Sequence, residues 1–163
     1  MKIKKIIYKN SFELSRILKE HVLLNKKIVF TNGCFDILHK GHLSYLKKAK
    51  RLGDLLVIGL NSDISVKKIK GPFRPYYKEG DRAYALSCLK MVDYICFFDE
   101  PTPAGLIRQV RPHVLVKGGD YKECDIAGAE YVKKQGGKVV ILPFIKGYST
   151  TRLIEKLKKQ INL

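Results

Sequence analysis

Two histidines three positions apart are the residues of this sequence best suited to chemistry. His39 and His42 lie in the segment TNGCFDILHKGH, residues 31–42, which follows an apolar stretch and precedes a helical pattern. A helix N-terminus has free backbone N–H groups that bind phosphate. Two imidazoles beside it can donate hydrogen bonds to oxygens that gain charge during displacement at phosphorus. The pattern therefore predicts a group transfer at phosphorus, with no covalent nucleophile if the second substrate supplies a phosphate oxygen.

Two other interpretations of this segment stay open. The histidines could be ordinary loop and helix residues, but the HxGH pattern directly after a strand ending in TNGCFD favours a functional role. Cys34, His39 and His42 could also bind a metal, although the sequence indicates no fourth ligand. Asp36 either helps to hold a metal or orders the loop, and we favour the ordering role.

Two further segments carry residue types that suit nucleotide binding. In the segment Gly118-Gly119-Asp120, the glycines allow close approach of a base and ribose, and the carboxylate can accept from ribose hydroxyls. The same three residues would also make a simple turn. Ser149, Thr150 and Thr151 begin a predicted helix, where they can cap the helix, bind phosphate, or do both.

The elements that must position these residues alternate between strand and helix. Strands are predicted at 27–31, 54–60, 94–98, 113–117 and 139–142, and helices at 11–24, 43–52, 62–69, 81–91, 103–110, 126–135 and 149–159. This order predicts an α/β fold, a Rossmann-like doubly wound domain with a mostly parallel five-stranded sheet. Residues 1–24 are predicted to form an N-terminal helical extension and residues 25–163 the catalytic domain. Ligands of such sheets bind beyond the carboxyl ends of the strands, at the topological switch point.

Composition limits the classes of partner. The 163 residues carry a net charge of +17, but the lysines are spread along the chain without a nucleic-acid-binding motif, so we do not expect a nucleic-acid partner. An RNA-binding module on an inactive transferase fold is kept as a distant alternative. No apolar run approaches the ~18 residues of a membrane span, and no signal peptide is evident, so we expect a cytoplasmic protein. Four scattered cysteines predict reduced thiols.

The motif TNGCFDILHKGH resembles the signature of the cytidylyltransferase-like nucleotidyltransferases, whose fold carries the HxGH motif. Within that superfamily the chain is similar to the adenylyltransferase domain of the bacterial heptose-phosphate enzymes over about residues 25–160. The shared stretches are NSD at 61–63, SVKKIKGPFRP at 65–75, RPHVLVKGGDYK at 111–122, IAGA at 126–129 and GYSTTRLIEKL at 147–157. The resemblance implies that ATP and D-glycero-β-D-manno-heptose 1-phosphate give ADP-heptose and pyrophosphate, for lipopolysaccharide core or another glycan.

The resemblance also implies roles for individual residues. His39, His42 and Lys67 would be catalytic, with Lys67 reaching the triphosphate and Lys68 and Lys70 as nearby substitutes; each lysine could instead belong to a solvated face. Arg74 and Arg82 would bind the sugar phosphate or the nucleotide. The nucleotide would be bound by Thr31, Asn32, Gly33, Cys34, Phe35, Gly41, Gly118, Gly119, Asp120, Ser149, Thr150 and Thr151.

The resemblance implies Mg²⁺ as the partner of ATP, held mostly by phosphates and waters, and a homodimer as the assembly. Many family members are fused to a sugar kinase domain, whereas this chain is expected to be a stand-alone transferase. A cytidylyltransferase acting on glycerol 3-phosphate or a related polyol phosphate is the alternative enzyme, because it shares the outline of these motifs.

Overall fold

A computed structural model describes residues 7–119, 121–143, 145, 154 and 160. The strands are β1 (Ile7–Tyr8), β2 (Ile28–Gly33), β3 (Leu55–Asn61), β4 (Tyr94–Phe98), β5 (Val114–Gly118) and β6 (Lys138–Leu142). The helices are α1 (Ser11–Leu23), α2 (Lys40–Lys50), α3 (Asp63–Lys70), α4 (Glu79–Ser87), α5 (Ala104–Val110) and α6 (Ala129–Lys134), with a 3₁₀ turn at Glu123–Asp125. The helix predicted at 149–159 lies outside the described residues.

All strand pairs in the described sheet are parallel, in the order β1-β4-β3-β2-β5-β6. Buried clusters lie on both faces: α1, α5 and α6 cover one face, and α2 and α4 cover the other. The predicted Rossmann-like doubly wound fold is therefore confirmed. The predicted strand count is too low by one, because the edge strand Ile7–Tyr8 has two residues and shows no periodicity that could reveal it.

Helix α1 is packed into the domain. Leu14 and Leu18 are fully buried in the same cluster as Val110 of α5, and the Asn10 side chain caps the helix by accepting from the Phe12 N–H. The domain boundary at residue 24 stays a prediction. No helix in the described part of the chain is long and apolar enough to cross a membrane.

The strand order changes direction at β2. The chain passes from β2 to β3 and β4 on one side, then crosses to β5 and β6 on the other. The carboxyl ends of β2 and β5 therefore lie side by side at the switch point, where ligands of open parallel sheets bind. Tyr45 of α2 ties these ends together, since its hydroxyl lies 2.6 Å from Thr31 Oγ1 and donates to the Val116 carbonyl at 3.2 Å.

Candidate active site

The two motif histidines stack on each other at the start of α2. Their ring centroids are 3.9 Å apart, with 21° between the ring planes. The helix begins at Lys40, three residues before the predicted start, so His39 is its N-cap in an extended conformation and makes no side-chain capping bond. Nδ1 of each ring is buried and has no hydrogen-bond partner within the described residues. Two imidazoles and the free N–H groups of a helix start thus share one place, which suits a phosphate ligand.

Both imidazoles are kept neutral. Burial lowers the pKa of His39. Burial also lowers the pKa of His42 to about 4, and repulsion from His39 in its protonated form and from the charge of Lys70 contributes in the same direction. At neutral pH each ring therefore has one N–H to donate and carries no charge of its own.

Phe35 supports His42 from the preceding loop. Its buried ring meets the His42 ring edge-on, with centroids 5.3 Å apart. Its backbone has a φ of 44°, in the left-handed region, which costs a residue other than glycine about 1 kcal/mol. Gly33 lies under the same ring, where a Cβ would come within 3.1 Å of Phe35 Cε2. The loop after β2 is thus held in a strained conformation that packs the Phe35 ring against His42.

Asp36 anchors this loop to the segment before α4. Its carboxylate is buried and accepts hydrogen bonds from the backbone N–H groups of Tyr76 at 2.7 Å and Tyr77 at 3.1 Å. Arg74 Nε lies 2.7 Å from the second carboxylate oxygen, as an ionic contact without an aligned hydrogen bond. The Arg74 guanidinium also lies 4.6 Å from the centroid of the Tyr76 ring. As placed, both oxygens of Asp36 face protein groups.

Arg82 of α4 is fully buried beneath the same loop. It donates from Nη1 to the Cys34 carbonyl, from Nε to the Tyr77 carbonyl at 3.0 Å, and from Nη2 to the Asp63 carboxylate at 2.9 Å. Its side chain is 0% exposed, so none of its donors faces solvent. The sequence predicts Arg82 as a substrate-phosphate ligand, whereas this geometry makes it a positioning residue.

The β5 side of the site contributes a cation, Lys117, that is not among the site residues predicted from the sequence. Lys117 lies in β5 and donates to Asn32 Oδ1 of β2 at 2.9 Å. Beyond it, Gly119 is buried with a φ of 113°, a conformation that favours glycine, and its N–H donates to the Leu142 carbonyl at 3.0 Å. The contact depends on the strand register, which the sequence does not show: Phe30 pairs with Leu115, and the same offset sets Asn32 opposite Lys117.

Comparison with known proteins identifies the family of this chain. Residues 30–156 match the family described as cytidylyltransferase-like. The chain belongs to this family. It therefore carries a nucleotidyltransferase domain, as the HxGH motif predicts.

Similar proteins of two kinds accompany the family match. The bifunctional protein HldE of Trichlorobacter lovleyi is 48% identical over 149 residues, and that of Helicobacter acinonychis is 51% identical over 153 residues. These alignments cover 91% and 90% of this chain but 30% and 32% of the two proteins, so the chain spans about a third of their length. The crystal structure of the lipopolysaccharide core biosynthesis protein from Thermoplasma volcanium is 32% identical with a TM-score of 0.61, covering 76% of this chain and 99% of that one.

The remaining predicted nucleotide-binding residues fall into three groups. Asn32, Gly33, Cys34, Gly41 and Gly118 lie around the switch point and are partly exposed. Thr31 is fully buried beneath it and hydrogen-bonded to Tyr45. Asp120, Ser149, Thr150 and Thr151 lie outside the described residues, so their roles stay predictions.

Among the lysines of α3, Lys70 acts electrostatically on the site. Its charge lowers the pKa of His42 and opposes the rise that burial causes in the pKa of Cys34. Lys67 and Lys70 are both exposed in the last turn of the helix, where Gly71 ends it. Lys70 is thus the member of this group whose charge reaches His42.

Replacing Lys70 with Met is therefore expected to impair turnover more than replacing Lys67 with Met. A charge-assisted contact with a phosphate contributes about 1.5–3 kcal/mol, so Lys70→Met should lower kcat/KM about 10- to 100-fold. The two variants remove the same charge from the last turn of one helix, three residues apart, and each serves as the control for the other. Steady-state pyrophosphate release measures the effect; a larger loss for Lys67→Met would restore Lys67 as the catalytic lysine.

Proposed function

We propose that this chain transfers AMP from ATP to D-glycero-β-D-manno-heptose 1-phosphate, giving ADP-heptose and pyrophosphate. The observation that carries the proposal is the stacked pair of neutral histidines at the switch point of a cytidylyltransferase-like domain. The heptose substrate is supported by the segment RPHVLVKGGDYK around Gly118, which resembles the heptose-phosphate enzymes. It is also supported by the sequence identity of 48% and 51% to the two HldE proteins. The product would serve lipopolysaccharide core synthesis, which agrees with the name of the similar Thermoplasma volcanium protein.

In this reaction a phosphate oxygen of the sugar attacks the α-phosphorus of ATP. A new P–O bond forms there, and the bond from the α-phosphorus to the oxygen bridging to the β-phosphate breaks, with that electron pair leaving on pyrophosphate. Negative charge grows on the α-phosphate oxygens and on the leaving group. The N–H groups of His39 and His42 would donate to these oxygens, and Lys70 would add a positive charge. Positioning and charge stabilisation are the main catalytic means for such transfers.

Mg²⁺ would enter with the triphosphate and neutralise part of its charge. Within the described residues no group of three histidine, cysteine or carboxylate side chains could hold a metal ion. The buried carboxylate of Asp36 already accepts from two backbone N–H groups and faces Arg74. In this site the ion would be held mainly by phosphate oxygens and waters. A homodimer and a cytoplasmic location stay predictions.

A substrate panel tests the proposal. Pyrophosphate release is measured with ATP or CTP, each paired with heptose 1-phosphate, mannose 1-phosphate or glycerol 3-phosphate. We expect turnover with ATP and the heptose phosphate to exceed every other pair by at least about tenfold in kcat/KM, the equivalent of about 1.4 kcal/mol. Turnover confined to CTP and glycerol 3-phosphate would establish the cytidylyltransferase alternative. Binding of RNA with no turnover of any pair would place the chain among inactive transferase folds.

A further inference from the structure

Lys117 is a lysine whose charge is not neutralised by any carboxylate of the described residues. Its side chain is partly buried at the carboxyl end of β5, beside the carboxyl end of β2. The only polar partner among the described residues is Asn32 Oδ1 at 2.9 Å, which is an uncharged acceptor. The Tyr121 ring lies with its centroid 5.7 Å from Nζ. No carboxylate of the described residues forms an ion pair with this ammonium group.

Such an environment is costly for a protonated amine. Burial lowers the pKa of Lys117, and the negative charge that the Cys34 thiol can carry works in the opposite direction. Taking a charge out of water without a counter-ion is unfavourable unless something else compensates for it. An anionic ligand supplies that compensation, since it would pair with the ammonium group in a site of reduced dielectric constant.

The contact with Asn32 sets the direction in which a ligand would be held. A lysine ammonium group only donates, so the atom of Asn32 that faces Lys117 must be the amide oxygen. The NH₂ group of Asn32 therefore points away from Lys117, and among the described residues its two N–H donors have no hydrogen-bond partner. One ammonium and one amide then converge beside Gly33 and Gly118, the last residues of β2 and β5.

We propose that Lys117 binds a phosphate oxygen of a substrate at the switch point, with the Asn32 amide as the adjacent donor. The proposal rests on the proposed function only in requiring that the site take phosphate-bearing substrates. The phosphate could belong to the nucleotide or to the sugar phosphate. Lys117 lies in β5 and Lys70 in α3, so the two lysines would act on phosphate from different elements.

Equilibrium binding to the full chain separates the two sources. Lys117→Met keeps the length and apolar stem of the side chain but removes its charge. We expect the Kd for the contacted ligand to rise about 10- to 100-fold, as for loss of a hydrogen bond to a charged group, with ATP, AMP, adenosine and heptose 1-phosphate as probes. A loss for ATP and AMP but not adenosine assigns the nucleotide phosphate, and a loss confined to heptose 1-phosphate assigns the sugar phosphate. Unchanged affinity for all phosphate-bearing probes, or an equal loss for adenosine, would overturn the proposal.

Lys138→Met is the matched control. Lys138 lies at the exposed amino end of β6, paired in register with Val114, so the same substitution is made at the opposite end of the sheet. It should leave every Kd unchanged, whereas Lys117→Arg should keep most of the affinity because it keeps the charge. If wild-type protein binds CTP instead of ATP, the proposed nucleotide fails, but Lys117 is still tested with CTP, CMP and cytidine.

Thermal unfolding separates ligand binding from a structural role. Because the ammonium group is desolvated and lacks a counter-ion among the described residues, Lys117→Met should keep or raise the Tm of the ligand-free protein. A lower Tm with unchanged phosphate affinity would make Lys117 a structural residue. Should the variant fail to fold, acetylation of wild-type protein by acetic anhydride takes its place: saturating substrate should slow modification of Lys117 several-fold without slowing that of Lys138, and equal rates would reject the proposal.

Discussion

Replacing His42 with Ala is expected to lower kcat about 10²- to 10³-fold, the usual cost of removing one donor aimed at developing negative charge. ATP affinity should change by less than about threefold, because the hydrogen bond strengthens only as the α-phosphate oxygens gain charge. Single-turnover kinetics measure the chemical step, and calorimetry measures ATP binding. His42→Asn offers an amide N–H in a similar place and should recover part of the rate. A rise in KM at unchanged kcat would contradict the assigned role.

The neutral state of His42 gives this prediction a pH signature. Since its pKa is lowered from 6.5 to about 4, the ring stays neutral through the range in which an ordinary histidine gains a proton. Its NMR resonances should therefore not titrate between about pH 5.5 and 8. The free energy of unfolding, in contrast, should depend on pH. The unfolded chain takes up a proton below pH 6.5, whereas the folded chain does not until about pH 4. The fold therefore loses stability as pH drops through this window. His42→Ala should remove that component.

The long apolar strands and the motif at the end of β2 could be predicted from the sequence. A run such as Leu55–Asn61, buried at every position, indicates a parallel strand covered on both faces, and a strand followed by HxGH indicates where a ligand would bind. Strand β1 could not be predicted in this way, because Ile7–Tyr8 is too short for a pattern. It exists because the edge of β4 offers it backbone partners at Ile95 and Cys96.

The charged residues around the site differ in how deeply they are buried, and residue type alone does not reveal this difference. Arg74 and Arg82 lie in a stretch where the resemblance implies phosphate ligands, yet Arg82 is enclosed by backbone carbonyls. In the sequence pattern Lys117 is only the last residue of a predicted strand, although its ammonium group faces Asn32 across the switch point. The difference comes from cross-strand register and from the loop over α4, and both depend on contacts between residues that are distant in sequence.

Replacing Arg82 with Met is expected to cost about 3 kcal/mol of unfolding free energy. Its guanidinium satisfies the carbonyls of Cys34 and Tyr77, and each buried carbonyl left without a partner costs about 1–3 kcal/mol. Asp63 would lose its ion pair, but it is partly exposed and can be hydrated. In a domain of this size the loss corresponds to a fall in Tm of about 6–12 °C. Thermal and urea unfolding measure it.

The same variant decides between the two roles that sequence and structure give Arg82. Arg108, exposed on α5, provides the matched control: Arg108→Met should change the unfolding free energy by less than about 0.5 kcal/mol. If Arg82 positions the loop, Arg82→Met should destabilise the fold and also lower kcat, since the loop it holds carries Phe35, whose ring contacts His42. An unchanged Tm together with a raised KM for the sugar phosphate would mean that the Arg82 side chain rotates out of the core and binds the substrate. The buried donors of Arg82 favour the positioning role. A rotation toward the substrate would leave the carbonyls of Cys34 and Tyr77 unpaired in a closed part of the core.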